Sequence, residues 1–403
     1  MSTPWESIVV GVALLGTMAA YALFAGADFG GGIWDLLAGS TERGERPREA
    51  IDRSVTPVWE GNQTWIVLGI VFVWTAYPSA FAAIMTSLFI PLSLSLLGIL
   101  LRGIGFAFRH EAKKLRTQQF AGVLFAASSF LAPFFLGAAV GAVSTGRVRN
   151  DHHGDVLSAW VNAVALVTGA LFVATCAFVG GMYLIGDSHR RGDEDMAKYF
   201  HYRTIGAGVV SAVLAFVNLL LMHGDAPYVF HRLIGPALPF MIVSVAGGAF
   251  AFVLVVLRKQ FALRIATGVC VVCVVGAWGF AQYPYLLPTS LSLAEGSAPT
   301  AALLAEFAVI GLALLFVAPA FVYLYWLQQH ERLAVTEESD VLEQAGAAEN
   351  RLARTAPAPV GLRLATAVVI GVAGVDIARE GLARLRRLRR DRTYGPGIRR
   401  PRD

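Results

Sequence analysis

The sequence predicts an all-α polytopic membrane protein of nine transmembrane helices, with an outside N-terminus and a cytoplasmic C-terminus. Three observations predict this class. Of the 403 residues, 56% are hydrophobic and only 15% are charged. The apolar residues recur in blocks of about 20, the helix length that crosses about 30 Å of hydrocarbon. Basic residues gather on every second side of those blocks, as cytoplasmic loops do.

The blocks run from Ile8 to Gly26, Val55 to Tyr77, Phe81 to Leu101, Phe120 to Val143, Leu157 to Ile185, Ile205 to Met222, Ala237 to Leu257, Leu263 to Tyr283 and Ala302 to Leu327. The first follows Met1 to Ser7, which carries no Lys or Arg and so lacks the basic start of a secretory leader; it is read as a span. Between the first and second blocks lie Arg43, Arg46, Arg48 and Arg53. The next groups on the same side are Arg102, Arg109, Lys113, Lys114 and Arg116, then Arg190, Arg191, Lys198 and Arg203, then Arg258, Lys259 and Arg264. The opposite side holds Arg147, Arg149 and Arg232. The formal charge of +5 is therefore a topology signal, and no nucleic-acid partner is expected.

Residues 1–329 read as a nine-helix membrane domain with short connections. Residues 330–403 change to Glu, Ala, Arg and Pro and read as a cytoplasmic linker and basic tail. Within that tail Leu364 to Val375 is too short to cross, and the Arg-rich run from Arg379 to Arg392 carries Leu382, Leu385 and Leu388, the pattern of a helix lying on anionic membrane lipids.

The ionisable residues narrow the chemistry. Histidines 110, 152, 153, 189, 201, 223, 231 and 330 all fall in loops or at span ends, so no haem or metal is expected on this chain alone. Cys270 and Cys273, one turn apart, read as packing between helices, as does Cys176. The carboxylates say more, because acids at membrane depth usually face a bundle interior or a water-filled path. Glu60 lies roughly 8 Å into the second block from its inner end, at 1.5 Å per residue. It sits in Trp59-Glu60-Gly61-Asn62-Gln63-Thr64-Trp65, where Asn62 and Gln63 supply amides able to bond a buried acid. Asp28 stands near the inner end of the first block, in Ala27-Asp28-Phe29-Gly30-Gly31-Gly32-Ile33-Trp34-Asp35, whose glycines permit close approach or a local break. Glu60, Asp28, Asn62 and Gln63 are the candidate proton pathway. The competing reading makes Asp28 a helix cap and Glu60 a structurally satisfied acid. Asp35 reads as structural, Glu306 as sitting at headgroup level, and Arg102 as snorkelling to the inner interface.

These motifs, with Leu101-Arg102-Gly103, Phe106 to Arg109 and Trp278 followed by Ala281-Gln282-Tyr283-Pro284-Tyr285, resemble subunit II of the cytochrome bd-type quinol oxidases over the chain to about Gln329. The resemblance implies a haem-free subunit of a terminal oxidase in the bacterial cytoplasmic membrane, with no catalytic residue of its own. Its partner, cytochrome bd subunit I, would hold the quinol site with haem b and haem d, or haem b in its place. The complex would oxidise quinol and reduce dioxygen to water. The resemblance also implies that this subunit helps line a proton route from the cytoplasm, binds a structural quinone or lipid and meets small accessory subunits. It carries Trp59, Gly61, Trp65 and Arg102 as structural motif residues. Two departures are the Glu at position 60, where many relatives have Asp, and Ala25, where some have a second acid; the pattern is similar to the cyanide-insensitive branch. The alternative function is a proton-coupled secondary transporter, which nine spans with buried acids also suit.

Overall fold

The structure, a computed structural model, describes residues 5–38, 41–55, 59–111, 115–150, 156–259 and 262–329. The chain divides into two units, Met1–Tyr325 and Trp326–Asp403. The linker and basic tail expected over 330–403 lie outside the described residues.

In chain order the elements are α1 (Trp5–Leu36), α2 (Thr41–Val55), α3 (Trp59–Ala76), α4 (Pro78–Ser87), α5 (Phe89–Glu111), α6 (Leu115–Ser144), α7 (Ala163–Arg190), α8 (Glu194–Asp225), α9 (Pro227–Leu233), α10 (Leu238–Val256) and α11 (Leu263–Gln282). A short antiparallel pair follows, β1 (Tyr285–Leu287) and β2 (Leu291–Ser292), then α12 (Leu293–Gly296), α13 (Thr300–Leu312), a π-helical turn (Ala313–Val317) and α14 (Ala318–Gln329). Among the described residues, seven helical stretches are long and apolar enough to cross a bilayer. An eighth is available if α3 and α4 count as one broken span, and Phe89–Gly105 of α5 is a shorter apolar stretch.

The expected span from Phe81 to Leu101 is divided at Leu88 between α4 and α5, and the expected boundary between the second and third spans is a sharp break at Tyr77 and Pro78. Pro78 has no N–H to extend the ladder of α3, so it opens α4 instead, and the chain turns through 118° between the two helices. Tyr77, fully buried at the corner, donates its hydroxyl to the Ser7 carbonyl at 2.5 Å. Ala298, just before α13, donates its N–H to the Ala76 carbonyl at 2.8 Å, satisfying backbone that the break frees.

α1 is the central post. It runs unbroken through Gly30, Gly31 and Gly32, ten residues beyond the expected end at Gly26. Glycine in a helix costs about 1 kcal/mol relative to alanine, so these three need a reason in packing. A Cβ on Gly30 would collide with the Cys176 carbonyl of α7 and lie 2.8 Å from the Gly180 Cα. α1 and α7 therefore meet backbone to backbone, the small-residue packing that holds helices together in lipid. Phe29, Ile33 and Trp34 around the glycines are buried, and Trp34 Nε1 donates to the Ala177 carbonyl at 2.8 Å.

The basic segment after α1 folds as α2 and is tied to neighbouring helix ends. Arg48 pairs with Asp35 of α1 at 3.1 Å, Arg46 with Asp193 at 3.2 Å, and Ser54 donates to Asp187 of α7. Asp187 also takes Arg190 and, at 2.9 Å, Arg264 of α11. The Arg46–Asp193 pair is exposed and worth at most about 1 kcal/mol, whereas Asp35 and Asp187 are largely buried; together the contacts fix where α2 lies.

Candidate functional site

Asp28 occupies the interior of α1, 5% exposed, so it is not a helix cap. Its carboxylate Oδ2 accepts from the Asn62 amide of α3, and the same amide lies 3.4 Å from the Phe24 carbonyl one turn earlier on α1. Gln63 Oε1 accepts from the Tyr21 hydroxyl at 3.4 Å. Two of the expected pathway amides thus face α1, one at the acid itself and one two turns away. Glu60 and Trp59 begin α3, and their side chains lie outside the described residues.

Arg102 is not at the interface. It is 1% exposed, one of the largest fully buried side chains, because α5 carries it into the bundle between α1 and α6. Its Nη2 donates to the Asp28 main-chain carbonyl at 2.7 Å and its Nη1 to Ser129 of α6. The guanidinium also lies over the Phe125 ring at 4.4 Å and 5.2 Å from the Phe29 ring centre. A planar cation with five donors can use carbonyl, hydroxyl and aromatic faces together, which an ammonium cannot. Desolvating that charge costs several kcal/mol per ion unless partners compensate. The hydropathy of Leu101-Arg102-Gly103 could not reveal those partners, since they come from other helices.

Gly61 and Trp65 of the same motif pack against α14. A Cβ on Gly61 would lie 3.0 Å from the Phe321 ring, and Trp65, one turn on, sits 5.1 Å from that ring and 6.4 Å from Phe24, centre to centre. Gly61 and Trp65 together form a seat on α3 for Phe321 of α14.

Glu306 differs from its expected headgroup position. It is 6% exposed on α13; Thr75 donates to its Oε1, while Oε2 is buried with no hydrogen-bond partner among the described residues. Ser129 and Tyr21 were not singled out from the sequence. A hydroxyl pair in the apolar sixth helix, and a tyrosine seven residues before an acid, were the available signals. Among the described residues, no three His, Cys, Asp or Glu side chains cluster as metal ligands.

A many-span helical membrane protein with a buried acid beside a buried arginine is the class that fold and site define. Residues 6–328 match the family model for cytochrome bd terminal oxidase subunit II, and the chain belongs to that family. It is 21% identical over 359 residues to a putative cytochrome bd menaquinol oxidase subunit II of Bacillus subtilis, covering 84% of this chain and all of that one. It is 25% identical over 273 residues to the cytochrome bd ubiquinol oxidase subunit 2 of the same organism, covering 66% and 77%. It is 26% identical over 195 residues to the cytochrome bd-I ubiquinol oxidase subunit 2 of Escherichia coli K12, covering 46% and 49%. The bd oxidase of Geobacillus thermodenitrificans shares the fold, with a TM-score of 0.62 at 17% identity over 80% of this chain and 98% of that one. The chain is thus a multi-pass membrane subunit of a quinol:dioxygen oxidoreductase, and the carrier reading gives way to it.

Proposed function

We propose that this chain is the haem-free subunit of its oxidase, with nine helices in the bacterial cytoplasmic membrane, and that it delivers protons from the cytoplasm to the oxygen-reducing site. The observation that carries the reading is the buried Asp28 carboxylate, bonded by the Asn62 amide and set one residue's width from a buried arginine. A bilayer protein gains no stability from such an arrangement that packed apolar residues would not match. Asn62 and Gln63 line the route, and Glu60, at the start of α3, is its second acid. The α2 edge, where the basic residues gather, is the cytoplasmic side.

The haems belong to subunit I in this reading. Among the described histidines, His189 is paired with Glu194 at 2.8 Å and His231 Nδ1 lies 2.7 Å from the Pro227 carbonyl. A structural quinone or lipid, and small accessory subunits, contact its exposed apolar faces.

The test is Asp28→Asn and Glu60→Gln in the purified complex, read by quinol-driven oxygen consumption and by the reduced-minus-oxidised haem spectrum. Both variants should keep the haem bands and lose most turnover. Full turnover in both refutes a proton route through this subunit.

A further inference from the structure

We propose that the junction of α8 and α10 at the α2 edge is a binding site for an anionic glycerophospholipid. Arg258, Lys259 and Tyr202 take its phosphate, and its acyl chains lie along the exposed aliphatic faces of the two helices. The inference rests on the lipid contact proposed above, to which it gives a place and a chemistry, and it is independent of the proton route.

Arg258 stands where a side chain is disfavoured. α10 ends in a Schellman turn, in which the Lys259 N–H donates to the Leu254 carbonyl at 2.8 Å and the Arg258 N–H to the Val255 carbonyl at 3.0 Å. The residue that closes such a turn is left-handed and is usually glycine, because a Cβ crowds the neighbouring carbonyl there. Arg258 adopts that conformation with φ 55°. Glycine would end the helix with less strain, so the turn does not account for the arginine and its side chain must.

The charge at this point is not neutralised within the described residues. Along the same edge Arg46 pairs with Asp193, Arg48 with Asp35, and Arg190 and Arg264 with Asp187. Arg258 and Lys259 are exposed, and Arg258 Nη2 lies 3.5 Å from the Tyr202 hydroxyl of α8 instead of beside a carboxylate. Tyr202 is 58% exposed, so guanidinium and phenol open together onto the outside of the bundle.

Apolar surface continues from them along both helices. α8 and α10 meet where Phe252 packs over Gly208, at which a Cβ would lie 2.8 Å from the ring. Outside that contact Val209, Val213 and Phe216 follow Tyr202 along one face of α8, and Phe250, Val253 and Leu257 lead up to Arg258 on α10; all six are exposed. Gly206, one turn from Tyr202, has open space where a Cβ would stand, which leaves a notch beside the phenol. A ligand that fits carries anionic oxygens at the water boundary and alkyl chains below it. A phosphodiester offers the guanidinium two oxygens for a forked pair, and the ammonium and phenol remain as further donors. A headgroup of net negative charge complements two cations, whereas a zwitterionic one brings a cation of its own.

The experiment takes the intact oxidase complex, stripped of lipid in detergent, and titrates it with phosphatidylglycerol, phosphatidylcholine of the same chains, or inorganic phosphate. The readouts are the thermal midpoint and the lipid phosphorus retained after gel filtration. We expect phosphatidylglycerol alone to raise the midpoint. Arg258→Gly and Arg258→Gln/Lys259→Gln should raise the lipid concentration needed for half the shift by about fivefold for each cation removed. Arg258→Gly should also hold or raise the midpoint of the lipid-free complex, because it relieves the left-handed turn; a lower lipid-free midpoint makes Arg258 structural and overturns the site. Arg46→Gln, which removes a paired cation from the same edge, should leave the titration unchanged, and an equal loss there overturns the site as unspecific charge. An equal response to phosphatidylcholine, or the same shift with inorganic phosphate, overturns the anionic lipid as occupant. A phosphatidylglycerol response untouched by the Arg258 variants overturns this site and leaves lipid contact elsewhere on the chain, while no response to any lipid overturns both. If the double variant does not assemble, Arg258→Gly carries the test, and its failure to assemble overturns the site.

Discussion

Arg102 of α5 donates to the main-chain carbonyl of Asp28 in α1, across 74 positions of sequence and at 2.7 Å, with both residues buried. The bond places a permanent cation beside the acid without consuming either carboxylate oxygen, so the Asn62 amide remains free to hold Oδ2.

Arg102→Leu removes that cation from beside the Asp28 carboxylate and takes a donor from the Asp28 main-chain carbonyl and from the Ser129 oxygen. Breaking a buried charge arrangement from one side costs about 3–5 kcal/mol, so the variant should yield little assembled complex and lose haem at lower temperature. Arg102→Lys should fall between, because an ammonium cannot span the carbonyl and the hydroxyl in the same fork. Haem retention on heating, measured for both, checks the order.

Asn62→Leu deprives Asp28 of its amide donor while keeping side-chain bulk. Turnover should fall about tenfold, in line with a lost hydrogen bond of about 1.5–3 kcal/mol to a charged group. Asn62→Asp should be worse, since it sets two carboxylates against each other. Steady-state oxygen consumption at matched haem content separates the two.

How much of this was legible beforehand differs from residue to residue. The apolar blocks placed most helices within a few residues, because the bilayer imposes one length and one chemistry on all of them. Asp28 and Asn62 could be singled out because a polar residue at that depth needs a partner. Arg102 could not be placed correctly, because its hydroxyl partner lies 27 positions away on α6 and its ring partners on α1 and α6. Glu306 misled for the same reason: its Thr75 partner stands 231 positions earlier. The boundary between Tyr77 and Phe81 was legible, but the interruption at Leu88 was hidden by apolar residues on both sides, which hydropathy reads as one continuous run.

Gly30→Val should separate α1 from α7. The added carbons meet backbone, which cannot swing aside as a side chain can, and overpacking of this kind costs about 1–3 kcal/mol or more. Gly16→Ala on the same helix is the control, since nothing lies within 4 Å of the position a Cβ would take. The thermal midpoint of the complex should drop for the first and hold or rise for the second.

Thr75→Val leaves Glu306 with neither oxygen hydrogen-bonded by a described residue. An unsatisfied buried polar group costs about 1–3 kcal/mol, so the thermal midpoint should fall, while Thr75→Ser, which keeps the hydroxyl, should stay near the unmodified protein. Differential scanning fluorimetry of the three complexes decides it.

The backbone contact between Gly30 and Gly180 has a mechanical consequence. With no side chains between them, α1 and α7 have no compressible layer at this point and form one rigid face behind Asp28. Any breathing that admits or expels water around Asp28 must come from the opposite flank, where α3 meets α1 through longer side chains and where α2 is held mainly by ion pairs at the edge. One flank of Asp28 is fixed by glycine, and the other is held by side chains alone.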